Sequence, residues 1–148
     1  MSLADELRQC RSLFIDTAVV IYHIEAHPKF GPLAREVVRR FCPGEAHAFT
    51  SVVTLVEVLP KPVAAGNEEL AGKFLDFLSH TRNLDLLEIT AGIAEDAGRL
   101  RAKYRALRAA DAIQVAAAIR VAADALVTND QKLKQIEELR VLLLSDYV

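Results

Sequence analysis

Apolar and polar positions follow two rhythms along this chain. Short, nearly uninterrupted apolar runs recur at Leu13–Ile15, in "AHAFTS" (46–51), "NLDLLEI" (83–89) and "ALVT" (125–128), and in "LRVLLLS" (139–145). Runs of this length without a polar alternate read as strands buried on both faces. Between them, apolar residues recur at spacings of three and four. "AVVIYHIEAH" (18–27) reads as a helix halted near Pro28, and "GPLAREVVRRFC" (31–42) sets Leu33, Val37, Val38 and Phe41 at helical spacing. Ser51 is placed to cap a helix through "VVTLVEVL" (52–59), which Pro60 and Pro62 should stop or kink. Asn67 caps "NEELAGKFLDFLSHT" (67–81), and Thr90 caps a long helix through "AGIAEDAGRLRAKYRAL" (91–107). The Ala-rich "DAIQVAAAIRVAA" (111–123) is a further helix, and "QKLKQI" (131–136) a short helical turn. Strands alternating with helices predict an α/β fold: a central, mostly parallel sheet of four to five strands with helices on both faces.

Composition narrows the class. A length of 148 residues suits one domain, spanning 1–148, with a full core. The 52% hydrophobic content and mean hydropathy of +0.19 point to doubly buried strands or to an oligomer, and we expect a homodimer. No apolar run approaches the roughly 18 residues of a membrane span. The start, "MSLADELRQCRS", carries charges throughout and lacks the apolar centre of an export signal. Cys10 and Cys42 have neither zinc nor redox spacing and read as reduced thiols, so a cytoplasmic location is expected. A net charge of −2 argues against a generally basic nucleic-acid coat while leaving room for a local patch.

Chemistry enters through four acids. In an open parallel sheet, sites lie outside the carboxyl ends of the strands. Asp16 directly follows the first strand, and Asp130 follows the fourth. Glu57 falls in the second turn of the helix after the second strand, and Asp111 opens the Ala-rich helix. Taken singly, each has an ordinary role: a helix cap for Asp16, a surface glutamate for Glu57, a first-turn acid for Asp111, a turn residue for Asp130. Together they bring four carboxylates from four segments to one edge, where repulsion must be relieved by cations or protons. Hard oxygen ligands select Mg²⁺ or Mn²⁺ over zinc.

Other candidates are weaker. His23 and His27 are four apart, a zinc-compatible spacing, but no third ligand is near and the HExxH pattern is absent. His47 and His80 stand alone, there is no phosphate loop, and Ser51 and Cys42 lack a nucleophile motif. Arg101, Arg105 and Arg108 fall at i, i+4 and i+7, either a solvated helix face or a track for a nucleic-acid backbone leading towards Asp111. Arg35, Arg39 and Arg40 form a second basic cluster. Tyr104 is either a stacking surface beside the stripe or a core residue.

Four segments, "LFIDTAVVIY", "TSVVTLVEVLPKP", "RAADAIQVAAAI" and "ADALVTND", resemble in order and spacing the signature segments of PIN-domain ribonucleases. The likeness runs through nearly the whole chain and is strongest to the small stand-alone bacterial toxins of the VapC type. It implies a PIN-like fold, with Asp16, Glu57, Asp111 and Asp130 as the acidic metal-binding quartet and Thr128 as the hydroxyl residue of the last segment. It further implies Mg²⁺- or Mn²⁺-dependent cleavage of RNA to 5′-phosphate and 3′-hydroxyl ends, and an antitoxin protein as partner. Ala18 departs from the pattern, because many members carry Ser or Asn there. Thr128 and Asp130 lie two apart, so in extended backbone both point to one side. Thr128 can then orient a neighbouring carboxylate while Asp130 meets the metal. Two other readings remain: a catalytically idle PIN-like binding or scaffold module, and a phosphatase-type enzyme. The haloacid-type phosphatases carry a DxD pattern after the first strand, where this chain has "DTA".

Overall fold

All five apolar runs become strands of one sheet. The computed structural model describes residues 1–148. The elements run α1 (Leu3–Arg8), β1 (Ser12–Ile15), α2 (Thr17–Ile24), α3 (Gly31–Phe41), β2 (His47–Ser51), α4 (Val52–Val58), α5 (Pro60–Ala64) and α6 (Glu68–His80). They continue with β3 (Leu84–Leu87), α7 (Ala91–Lys103), α8 (Ala109–Arg120), β4 (Ala125–Thr128) and β5 (Val141–Leu143), with 3₁₀ turns at Gln131–Gln135 and Leu144–Tyr147. Spatial order is β3-β2-β1-β4-β5, and every pairing is parallel. From β1 the chain winds outward one way to β2 and β3, then returns to place β4 and β5 on the other side. The switch point therefore lies between β1 and β4, where open α/β sheets form their clefts.

Alternation along the strands explains why both faces are apolar. Leu13 and Ile15 of β1 join a core with α1, α2, α3 and α6, while Phe14 between them joins a second core with α7 and α8. Neighbouring positions of β4 divide in the same way, with Ala125 and Val127 on one side and Leu126 on the other. The helix starts follow local chemistry. Ser51 accepts from the Val53 amide, Asn67 from Leu70 and Thr90 from Ile93, as their positions predicted. Pro60 ends α4 and begins α5, where its missing N–H costs nothing.

The structure adds one element to those the sequence predicted and shortens another. The N-terminal stretch forms α1, opened by a capping box in which Ser2 and Asp5 satisfy each other's amides. The long helix expected over 91–107 ends at Lys103, since Tyr104 leaves helical geometry (φ −117°, ψ 88°) to bury its ring. Arg101, Arg105 and Arg108 thus do not share a helix face. α3 and α6 spend Phe41, Phe74, Phe77 and Leu78 on the protein's own core. Exposed apolar side chains include Val56 (72%) and Val63 (53%) on α4 and α5, beside Leu55, Leu59 and Pro60, and Leu75 (43%) on α6. No helix is long and apolar enough to cross a membrane.

Candidate functional site

Asp16 is held at the switch point by backbone and side chain together. Its amide donates to Val127 O at 3.0 Å, extending the β1–β4 ladder one residue past β1. It is also the N-cap of α2, with Oδ1 accepting from the Thr17 amide at 2.9 Å. The other oxygen, Oδ2, accepts from the Thr128 hydroxyl at 2.7 Å, and Thr128 Oγ1 in turn accepts from the Asp130 amide at 3.1 Å. Thr128 therefore orients a neighbouring carboxylate, as its spacing from Asp130 suggested. Burial is the main influence on Asp16 and pushes its carboxyl above the usual range. The Thr128 hydroxyl and the Thr17 amide oppose that shift, while the negative charges of Glu57 and Asp111 add to it.

The remaining acids arrive from three further segments. Glu57, in the second turn of α4, accepts from the Thr17 hydroxyl at 2.6 Å. Asp111 is the third residue of α8, where the free amides and helix dipole favour an anion, and its Oδ2 accepts from the Arg108 amide at 3.3 Å. Asp130 caps the 3₁₀ turn by accepting from the Lys132 amide at 3.0 Å. All four line one cavity of about 530 Å³, together with Arg108 and an apolar wall of Ala18, Ile21 and Tyr22. The ordinary cap and turn roles and the shared site coexist in the same side chains. Where Ala18 leaves a polar partner out, Asp16 is held by Thr17 and Thr128 instead.

Beneath the acids lies a buried polar network that the sequence pattern did not single out. Gln114, one turn after Asp111 on α8, accepts from the Ser51 hydroxyl at 2.5 Å and donates to Thr54 Oγ1 at 3.0 Å. Thr54 Oγ1 lies 3.1 Å from Thr17 Oγ1 and 2.9 Å from Thr50 Oγ1. One consistent set of donors runs Ser51 to Gln114 to Thr54 to Thr17 to Glu57, ending on a carboxylate, where hydrogen bonds are strongest. The available signal was a lone glutamine among the apolar residues of "DAIQVAAAI". Asn129 was also missed. Its side chain accepts from the Ser145 amide at 3.0 Å and donates to the Tyr22 hydroxyl at 3.1 Å, tying the end of β4 to α2 and to the last turn.

The other sequence candidates fall elsewhere. Arg108 lines the cavity, with its Nε 3.4 Å from Asp111 Oδ2, whereas Arg101 donates to Leu107 O at 3.4 Å and braces the α7–α8 loop. Arg105 is exposed on that loop. Tyr104 is a core residue whose hydroxyl donates to Glu138. His27 Nδ1 accepts from the Lys29 and Phe30 amides, and the His23 ring packs on Phe77, so the zinc spacing is absorbed by capping and packing. His47 pairs with Asp85 and His80 with Asp76. Arg40 reaches Glu45 and the carbonyls of Arg8 and Cys10, away from the acids.

The donor set is all carboxylate oxygen, suited to a hard divalent cation. As the side chains stand, no three acidic, histidine or cysteine groups close into a cage. The acids are instead divided between two kinds of partner. Asp16 and Glu57 rest on hydroxyls and an amide, while Asp111 and Asp130 face the Lys132 ammonium at 3.7 and 3.8 Å. The chemistry of the donors fits a hard divalent metal.

The PIN domain family profile matches residues 13–139. Among curated proteins, none is significantly similar in sequence. Several solved structures share the fold. The VapBC2 complex of Rickettsia felis, bound to a DNA fragment from its promoter, has a chain 21% identical (TM-score 0.69), covering 89% of this chain and 98% of its own. The DNA-bound VapBC of Salmonella typhimurium has one 20% identical (TM-score 0.70), covering 90% and 98%. The sarcin–ricin loop cleaving toxin VapC20 of Mycobacterium tuberculosis is 17% identical (TM-score 0.68), covering 86% and 98%.

Proposed function

Because the chain belongs to the PIN-domain family, we propose that it is a metal-dependent endoribonuclease, the toxin of a toxin–antitoxin pair, working in the cytoplasm as one domain over residues 1–148. The observation that carries this reading is the convergence of Asp16, Glu57, Asp111 and Asp130, from four separate segments, on one cavity at the carboxyl edge of the sheet. These four acids would hold Mg²⁺ or Mn²⁺. A bound divalent ion supplies positive charge to a phosphate in transit and lowers the pKa of a water. The protein's own part is to fix the carboxylates: Thr128 and the Thr17 amide hold Asp16, and the Thr17 hydroxyl holds Glu57. Arg108 at the cavity rim attracts the RNA backbone, with the exposed Arg105 on the adjoining loop. The apolar wall of Ala18, Ile21 and Tyr22 receives a base or ribose beside the scissile phosphate.

The partner half of the proposal is supported by the solved relatives, which are VapBC complexes in Rickettsia felis and Salmonella typhimurium. We assign the exposed apolar surface on α4 and α5 to a homodimer contact or an antitoxin segment. The decisive experiment incubates the purified protein with structured RNA in Mg²⁺ or Mn²⁺. Cleavage leaving 5′-phosphate ends, abolished by EDTA and by Asp16→Asn in a folded protein, is the expected result. Undiminished cleavage in excess chelator overturns the metal assignment. A folded protein that binds RNA yet cuts none of a broad panel is an idle binding module.

A further inference from the structure

The structure assigns to Lys132 the role of a resident counter-cation: its ammonium bridges Asp111 and Asp130, and a divalent ion must displace it to use those carboxylates. This inference rests on the metal-dependent reading above. The ammonium is aimed by local chain geometry. Asp130 caps the 3₁₀ turn by accepting from the Lys132 amide at 3.0 Å, which sets the root of the lysine beside that carboxylate. From there Nζ reaches 3.8 Å from Asp130 Oδ2 and 3.7 Å from Asp111 Oδ2. Arg108 meets only Asp111, three residues away on the same helix start, whereas Lys132 links acids from different segments. Asp16 and Glu57 have no such cation and rest on Thr17 and Thr128.

Both distances are longer than a direct hydrogen bond, and the lysine side chain is 40% exposed. The ammonium is therefore held loosely enough to leave. It relieves the repulsion between the two carboxylates in the metal-free protein and competes with any cation that enters. Removing a lysine from the rim of an acidic site should then tighten metal binding. An exposed pair of this kind is worth up to about 1 kcal/mol, which corresponds to roughly a fivefold change in affinity.

The test is calorimetric titration of Mn²⁺ into the full-length protein and three variants at low salt. Lys132→Gln should bind Mn²⁺ about fivefold more tightly than the parent, and Lys132→Arg, which keeps a cation, should stay near it. Lys134→Gln is the control: it removes the same charge from the same turn, but Lys134 pairs with Asp146 rather than with the cavity acids. It should leave affinity within about twofold of the parent. Equal or weaker binding by Lys132→Gln overturns the inference, and so does an equal gain in Lys134→Gln, which would mark a general field effect. A parent protein that takes up no Mn²⁺ defeats the metal reading itself, and the displacement role falls with it.

Discussion

Thr128→Val isolates the bond that orients Asp16. Thr128 is fully buried, and valine has nearly its shape, so no cavity opens. Two interactions are lost: the 2.7 Å hydrogen bond to Asp16 Oδ2, and the acceptor for the Asp130 amide at 3.1 Å. A bond to an ionised group contributes about 1.5–3 kcal/mol, and an amide left without a partner costs up to about 1–3 kcal/mol when buried. Asp130 is only half-buried, so water can replace part of the second contribution. The expected destabilisation at pH 7.5 is therefore about 2–4 kcal/mol, a large share of a typical domain's stability. Thr128→Ser keeps both bonds and loses one methyl, worth roughly 1 kcal/mol. The two variants should also differ in pH response. The bond to Asp16 favours its ionised form, so it contributes fully above the folded-state pKa of Asp16, which burial raises. That contribution fades as pH falls through the folded-state value, so the Thr128→Val deficit shrinks in acid while the Thr128→Ser deficit stays constant. Urea unfolding at pH 7.5 and pH 4 reads both. Equal deficits for the two variants, or a Thr128→Val deficit that does not change with pH, would refute the reasoning.

Two further outcomes are expected. Gln114→Met keeps the volume but strips the Ser51 hydroxyl of its acceptor and Thr54 of one of its three buried partners, so unfolding should show a loss of about 1–3 kcal/mol. It should be strongly non-additive with Thr17→Val if the chain to Glu57 acts as a unit; additivity would reduce Gln114 to a space-filler. For the arginines, the broken helix changes the forecast. Arg108→Gln, at the cavity rim, should weaken RNA binding and flatten its log–log salt slope by about one unit, while Arg101→Gln should act mainly on the stability of the loop it braces. A slope unchanged in Arg108→Gln, measured by filter binding across salt, removes it from the RNA path.

What the sequence made legible follows from periodicity. Five apolar runs predicted five strands, and caps such as Ser51, Asn67 and Thr90 marked helix starts because their signals are local. Convergence of the four acids was also readable, since a parallel sheet puts every strand's carboxyl end on one side. The end of α7 was not, because Tyr104 abandons a strong helical pattern to bury its ring and donate to Glu138, 34 residues away. Gln114 was invisible for a related reason. Its partners Ser51 and Thr54 lie 63 and 60 residues away, and a single polar residue in a helix carries no periodicity. Which apolar helix faces are spent on the protein's own core was not legible either, because such a face looks the same whether it covers its own sheet or a neighbour.

The strand order also governs when the site comes into being during synthesis. β1 lies inside the sheet, yet its second neighbour, β4, begins about 74 residues after β2 ends. At about 5–20 residues per second, the β4 side of β1 stays unpaired for roughly 4–15 s on the ribosome. During that interval the Leu13–Ile15 edge is open to wrong pairing. Asp16 has neither Thr128 beside it nor Asp130 across from it, and Asp111 has not met Lys132. The four acids are therefore not gathered at one edge until β4 docks, and the same late step closes the sheet and assembles them. Slowing translation between α6 and β4 should lower the yield of folded protein.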